Sequence, residues 1–275
     1  MGASPGAMAL CIDHGVKLSF LSPSGHFIGS LEGAIKGNVL LRRAQYRMSE
    51  DELLSTHLGS LFIGGKIANH RSILRRFLRD HHPDETITEE IENSICLLKR
   101  ELGMLPHQHT RLEIMGVEGY SANIYFGVFK HLILNPEFQF EKRSKRPPKD
   151  EVNALLSFFY TLLAHDVRAA LETVGLDAYV GFLHTDRPGR PSLALDLMEE
   201  LRGYLVDRFV LSVINKRQIN KQDFIAQGEN GYLIHEDTRK ELISLWQKRK
   251  KDVITHPFLQ EKIPIGLLPY AQAQL

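Results

Sequence analysis

The amino-acid sequence predicts a mainly α-helical protein with one β-hairpin near its N-terminus. Three observations lead there. Capping signatures of the form Ser/Thr-x-x-Glu recur at Ser49–Glu52, Thr86–Glu89 and Thr110–Glu113, each followed by an apolar helical pattern. A long apolar stretch, "VNALLSFFYTLLAHDVRAALETV", is stopped by Gly175. Only one segment alternates with a period of two, the mark of a strand. The chain has 275 residues, 43% hydrophobic and 24% charged, enough for one large domain or two smaller ones.

Taken in order, Ser4 and Pro5 supply an N-cap and a first-turn proline, and Gly15 ends that short helix. "VKLSFLSPSGHFIGSL" then alternates Val16, Leu18 and Phe20, turns at Ser22 to Gly25, and resumes at Phe27. A lone hairpin is marginally stable in water, so it should belong to a larger sheet. No other convincing strand follows. Its partners are therefore missing, supplied by another chain, or lost upstream of Met1.

From Ser49 the pattern is helical as far as Leu78, where "RDHHPDE" breaks it. Helices open at Thr86 and at Thr110, the latter running through "IMGVEGYSANIYFGVFKHLIL" to Asn135-Pro136. "EKRSKRPPKDE", residues 141–151, is a proline-containing basic linker to the apolar helix ended by Gly175. After the loop "GFLHTDRPGRP" a last long helix covers 192–215.

Net charge is +1, so any basic surface must be local. Two cysteines, Cys11 and Cys96, argue against a disulfide framework and fit a reducing cytosol. No apolar run approaches the ~20 residues of a bilayer span, and the N-terminus lacks a secretory signal. The expectation is a soluble, cytoplasmic protein with no membrane partner.

Chemistry concentrates in three places. On the 192–215 helix, Asp196, Glu199, Glu200, Gly203 and Asp207 fall within a stripe about 100° wide on an otherwise apolar rod, with Arg202 and Arg208 to its sides. The stripe is either a solvated face or a set of acids gathered around a cation, since clustered carboxylates repel one another. Glu118 shares a helix face with Ala122, Tyr125, Phe129 and Ile133. An acid there is costly unless hydrogen-bonded to a loop, paired, or coordinated; Arg111, two turns earlier, is within reach. His184, on the loop before the acidic helix, is either a structural hydrogen-bonder or a ligand. No histidine and cysteine spacing specifies zinc, and one imidazole with two carboxylates suits Mg²⁺ or Mn²⁺ better. Tyr125, Phe158, Phe159 and Tyr160 are expected in the core.

"GVEGYSANIYF", "NALLSFFYTLL" and "GFLHTDRPGRPSLALDLMEELR" together resemble the CRISPR-associated adaptation integrases, metal-dependent DNA endonucleases that insert new spacers. The resemblance extends to "GVKLSFLSPSGHFIGSLEG", "GNVLLRRAQY" and "RKELISLWQKRK", with wording nearest the I-C subtype. It implies that Glu118, His184 and Glu199 bind one divalent ion, Mg²⁺ or Mn²⁺, and that Asp196 assists the site. It also implies a homodimer, two of which flank a dimer of a small ferredoxin-like partner. That assembly joins the 3′-hydroxyls of a short DNA duplex to the CRISPR repeat. Relatives begin with a run of β-strands and continue their last helix further. The chain is accordingly expected to be shortened at its N-terminus and slightly at its C-terminus. Residues 1–48 are then a remnant of a β domain with a linker, and 49–275 a helical metal-binding catalytic domain.

The expected reaction is phosphoryl transfer at a DNA phosphodiester, giving integration with a 3′-hydroxyl nucleophile and nicking with water. His184 must be neutral to serve as a ligand, so activity should fall at acidic pH. Arg187, Arg190 and Arg202 are the first candidates for phosphate contacts, with "KRSKRPPK" and "ILRRFLR" as further options. Two other readings compete: a non-catalytic DNA-binding or complex-forming remnant of the integrase, and an unrelated helical hydrolase of small phosphoesters.

Overall fold

The spine of the protein is a 30-residue helix, α3 (Glu52–His81), against which α4, α5 and α7 pack. The computed structural model describes residues 2–16, 18–21, 27–31, 33 and 38–275. Asp51 caps α3, its carboxylate accepting from Leu53 N at 2.9 Å and Leu54 N at 3.1 Å. The Ser49–Glu52 capping box therefore does not form. Ser49 lies inside a helix absent from the sequence reading, α2 (Val39–Glu50), and its hydroxyl donates to the Tyr46 carbonyl. An ionised carboxylate at the cap satisfies two amides and complements the helix dipole, so it outcompetes a hydroxyl two residues earlier. The same holds at α4 (Glu85–Met104), capped by Asp84 through Ile87 N rather than by Thr86. At α5 (Arg111–Val128) the Thr110–Glu113 box forms in both directions.

After α5 the basic linker runs in irregular conformation to α6 (Glu151–Val174). Asp150 caps it, and Gly175 ends it at φ 93°, a left-handed conformation that a side chain would strain. By length and composition α6 could cross a membrane, a match that core helices also make. Here it lies against α7 and α10, with Leu155, Leu156, Phe159 and Leu163 fully buried. The rod expected over 192–215 is one continuous helical path in three parts: α7 (Ser192–Leu201), a π-helical turn (Arg202–Asp207) and α8 (Arg208–Asn215). Ile63, Ile67 and Leu74 of α3 meet Ile114 and Tyr125 of α5 and Ala194 of α7 in one apolar core. Phe159, Phe209 and Trp246 extend it as a cluster of aromatic rings.

At the N-terminus, Ser4 caps α1 (Pro5–Asp13), and β1 (Leu18–Leu21) pairs antiparallel with β2 (Phe27–Leu31). The turn placed at Ser22 to Gly25 lies outside the described residues. Two more hairpins follow that the sequence reading did not contain. They are β3 (Phe224–Ala226) with β4 (Tyr232–Ile234), and β5 (Val253–Thr255) with β6 (Lys262–Pro264). They lie on either side of α9 (Glu236–Lys250), ahead of α10 (Leu268–Gln274). Strands of three residues are too short to show a period of two. The architecture is mainly α, and among the described residues each hairpin stands as its own two-stranded sheet.

Candidate active site

Asp196, in the first turns of α7, is completely buried and gathers the preceding loop around itself. Its Oδ2 accepts from Phe182 N at 2.7 Å and Leu183 N at 2.9 Å. Its Oδ1 accepts from His184 N at 2.9 Å and lies 2.6 Å from His184 Nδ1. Four N–H groups satisfy a carboxylate that would otherwise be expensive to bury. The loop passes so close that a Cβ on Gly181 would lie 2.8 Å from Asp196 Oδ2 and 2.9 Å from the His184 carbonyl oxygen. Asp196 thus fixes the His184 ring with Nδ1 engaged, leaving Nε2 for a ligand.

Glu118 from the middle of α5 and Glu199 from α7 converge on one group, the ammonium of Lys66 from α3. Lys66 Nζ contacts Glu118 Oε1 and lies 2.7 Å from Glu199 Oε2. Arg202 holds the other Glu199 oxygen at 2.9 Å. Burial alone would raise the Glu199 pKa, but the Arg202 and Lys66 charges outweigh it and bring it down to about 2. Burial likewise works against the Lys66 ammonium, and Glu199 and Glu118 reverse the effect, holding it above its ordinary value. Arg111, the sequence candidate for pairing Glu118, instead forms a two-pronged bridge to Glu52 at 2.9 and 2.6 Å.

The acidic stripe is not a solvated face: Asp196 and Asp207 are 0% exposed and Glu199 5%. Asp207 accepts from Tyr160 Oη at 2.5 Å, and burial pushes its carboxyl up to about 6 despite that hydrogen bond. His70 of α3 stacks flat on Tyr125 at 3.8 Å. Burial, reinforced by Lys66, holds its imidazole well below the ordinary value, hence neutral.

Lys66, His70, Glu118 and Glu199 line a cleft of about 460 Å³ between α3, α5, α7 and the linker, whereas His184, Asp196 and Asp207 are not among its lining residues. The helices contribute Lys66, Glu118, Glu199 and Arg202 to its lining, and the linker contributes Glu141, Lys142, Arg143 and Lys145. Arg143 is braced by Asn153 Oδ1 at 2.7 Å and Ser157 Oγ at 3.1 Å. Tyr160, expected in the core, also lines the cleft, with Arg202 over its ring at 4.8 Å. Of the three arginines first proposed for phosphate contacts, Arg202 alone reaches the cleft, and there it is tied to Glu199. Arg187 is exposed and Arg190 half-buried on the His184 loop, and neither lines the cleft. Lys66 and His70, which no sequence motif singles out, also line the cleft. Lysine inside "SLFIGGKIANH", flanked by the core residues Ile63 and Ile67, was the available sign.

The donors suit a hard divalent cation in kind: two carboxylate oxygens, and an imidazole whose second nitrogen is held by a carboxylate. The two carboxylates converge, because Glu118 and Glu199 share one cationic group, the Lys66 ammonium. His184 is near enough to Glu199 for its charge to favour the carboxylate form. Among the described residues no three His, Cys, Asp or Glu side chains form a ready-made metal cage.

The family described as CRISPR associated protein Cas1 matches residues 1–248. A CRISPR-associated endonuclease Cas1 of Rhodospirillum rubrum is 48% identical over 281 residues, covering 99% of this chain and 80% of that protein. Another, from Chlorobaculum tepidum, is 47% identical over 277 residues, covering 100% and 80%. Among solved structures, a casposase bound to its integration product superposes with TM-score 0.81 at 24% identity, over 98% of this chain and 73% of that one. A Cas1 protein from Thermotoga maritima gives 0.77 at 21%, over 98% and 80%. The motifs that contain Glu118, His184 and Glu199 thus sit in a fold and a sequence shared along nearly the whole chain, which belongs to the Cas1 family.

Proposed function

We propose that this chain is a divalent-metal-dependent DNA endonuclease and integrase of CRISPR adaptation. On this reading it joins the 3′-hydroxyl ends of a short duplex to the CRISPR repeat and also nicks DNA. The observation that carries the reading is the convergence of Glu118 and Glu199 in a cleft that Lys142, Arg143 and Lys145 also line, with His184 held by Asp196 on the loop before α7. The similar proteins support it, being named endonucleases or bound to an integration product.

Glu118, Glu199 and His184 Nε2 would hold Mg²⁺ or Mn²⁺. Bound there, the ion supplies polarisation of a phosphodiester oxygen and offsets charge in the transition state. The chain's own residues do the rest. Asp196 orients the imidazole. Arg143 and Lys145 bind phosphate oxygens across the cleft, and Arg202 keeps Glu199 ionised and aimed. The partners are double-stranded DNA, a second copy of the chain, and a small ferredoxin-like adaptation protein. One solved neighbour is a complex that pairs Cas1 with Cas2.

Glu118→Ala and His184→Ala should each abolish Mg²⁺- or Mn²⁺-dependent nicking and joining of a labelled duplex, with the far-UV circular dichroism retained. Wild-type rates in both variants would overturn the reading. The neutralisation of Glu118 and Glu199 by Lys66 and Arg202 favours a second reading, a non-catalytic DNA-binding member of the family. It predicts salt-sensitive DNA binding indifferent to EDTA and to Glu118→Ala.

A further inference from the structure

Lys66 is 5% exposed, yet its side chain has two anionic contacts and both are the carboxylates proposed as metal ligands. With Arg202 on the remaining Glu199 oxygen, the formal charges of Glu118, Glu199, Lys66 and Arg202 sum to zero. A dication added to that set would leave two uncompensated positive charges in a largely desolvated site, which is strongly unfavourable. Its entry needs a resident cation to leave. Arg202 is poorly placed to do so: its guanidinium is planar, held over the Tyr160 ring, and one helical turn from Glu199. Lys66 carries a compact ammonium on a flexible four-carbon stem, and it borders the open cleft.

We infer that Lys66 is a resident counter-ion that competes with the divalent metal for Glu118 and Glu199, and that its ammonium swings into the cleft when the metal binds. The inference rests on the metal-site reading above. In the absence of metal, Lys66 keeps the buried Glu199 and the half-buried Glu118 from repelling each other and so holds α3, α5 and α7 in register. In its presence the same ammonium faces the cavity that would receive a DNA phosphate.

Binding of Mn²⁺ to the full chain without DNA, read by electron paramagnetic resonance of the free ion, tests this directly in wild type, Lys66→Gln and Lys66→Arg. Lys66→Gln should bind Mn²⁺ about tenfold tighter or more, and Lys66→Arg no tighter than wild type. Mn²⁺ should also raise the melting temperature of Lys66→Gln more than that of wild type. Equal or weaker binding by Lys66→Gln overturns the counter-ion role and leaves the metal site standing. Absence of bound Mn²⁺ in all three overturns both. If Lys66→Gln does not fold, labelling of wild-type Lys66 with an amine-reactive reagent gives the answer by mass spectrometry. The label should rise on adding Mn²⁺, and labelling unchanged by Mn²⁺ that binds refutes the displacement.

Discussion

Asp196 shows how one buried carboxylate can set the position of a neighbouring loop and ring. Both of its oxygens are engaged by the 182–184 loop, so its contribution is the placement of His184. Removing the carboxylate strands three backbone amides and one ring nitrogen in a buried place. Asp196→Ala should therefore cost about 3 kcal/mol or more of stability, read from urea denaturation. A loss within 0.5 kcal/mol, the usual range for surface substitutions, would contradict this account of the loop. Lys66 has the complementary standing: it touches Glu118 and Glu199 directly, and its charge offsets theirs.

Among the elements, the π-helical turn at Arg202–Asp207 connects the cleft, which Arg202 lines, to the core, where Asp207 is buried. The wider turn advances the chain out of simple α register between Glu199, which faces the cleft, and Asp207, which points into the core beneath it. Tyr160 on α6 then bridges the two, receiving Arg202 on its face and donating to Asp207. Because burial raises the folded Asp207 pKa from 3.8 to about 6, the folded state binds this proton more tightly than the unfolded chain. Its contribution to stability is present below pH 3.8 and is lost as pH rises to about 6. Asp207→Asn should flatten that fall. Urea midpoints measured between about pH 4 and 7 decide it, and parallel slopes for variant and wild type would refute it.

At the scale of the molecule, a chain of net charge +1 brings Lys142, Arg143 and Lys145 of the linker into one cleft with Glu118 and Glu199, whose charges Lys66 and Arg202 offset. On the proposed function, that placement would hold a phosphate backbone near the two carboxylates. Lys145→Ala should weaken DNA binding and lower the slope of log K against log salt by about one, while Arg187→Ala, outside the cleft, leaves the slope unchanged. A salt titration of duplex binding checks both. A second groove, of about 720 Å³ and lined by Arg76, Arg208 and Arg249, lacks Glu118, His184 and Glu199 altogether.

The sequence by itself determined the helical class, the Thr110–Glu113 cap, the Gly175 stop and the proximity of His184 to the acidic helix in the chain. Each of these is local: side-chain oxygens within three residues of an amide, or a period of 3.6 in apolar residues. It misplaced the caps at Asp51 and Asp84, where two cap-forming residues compete and charge decides. It passed over α2, where Asn38 supplies the cap and Gln45 turns inward to the carbonyls of Asp177 and Val180. What only the tertiary structure decided is which charges meet. Lys66 and Glu118 are 52 residues apart, and Lys66 and Glu199 are 133 apart. No pattern on one helix shows that its lone buried charge will be answered from another. That information lies in the packing of α3 against α5 and α7, which sets one ammonium between two carboxylates.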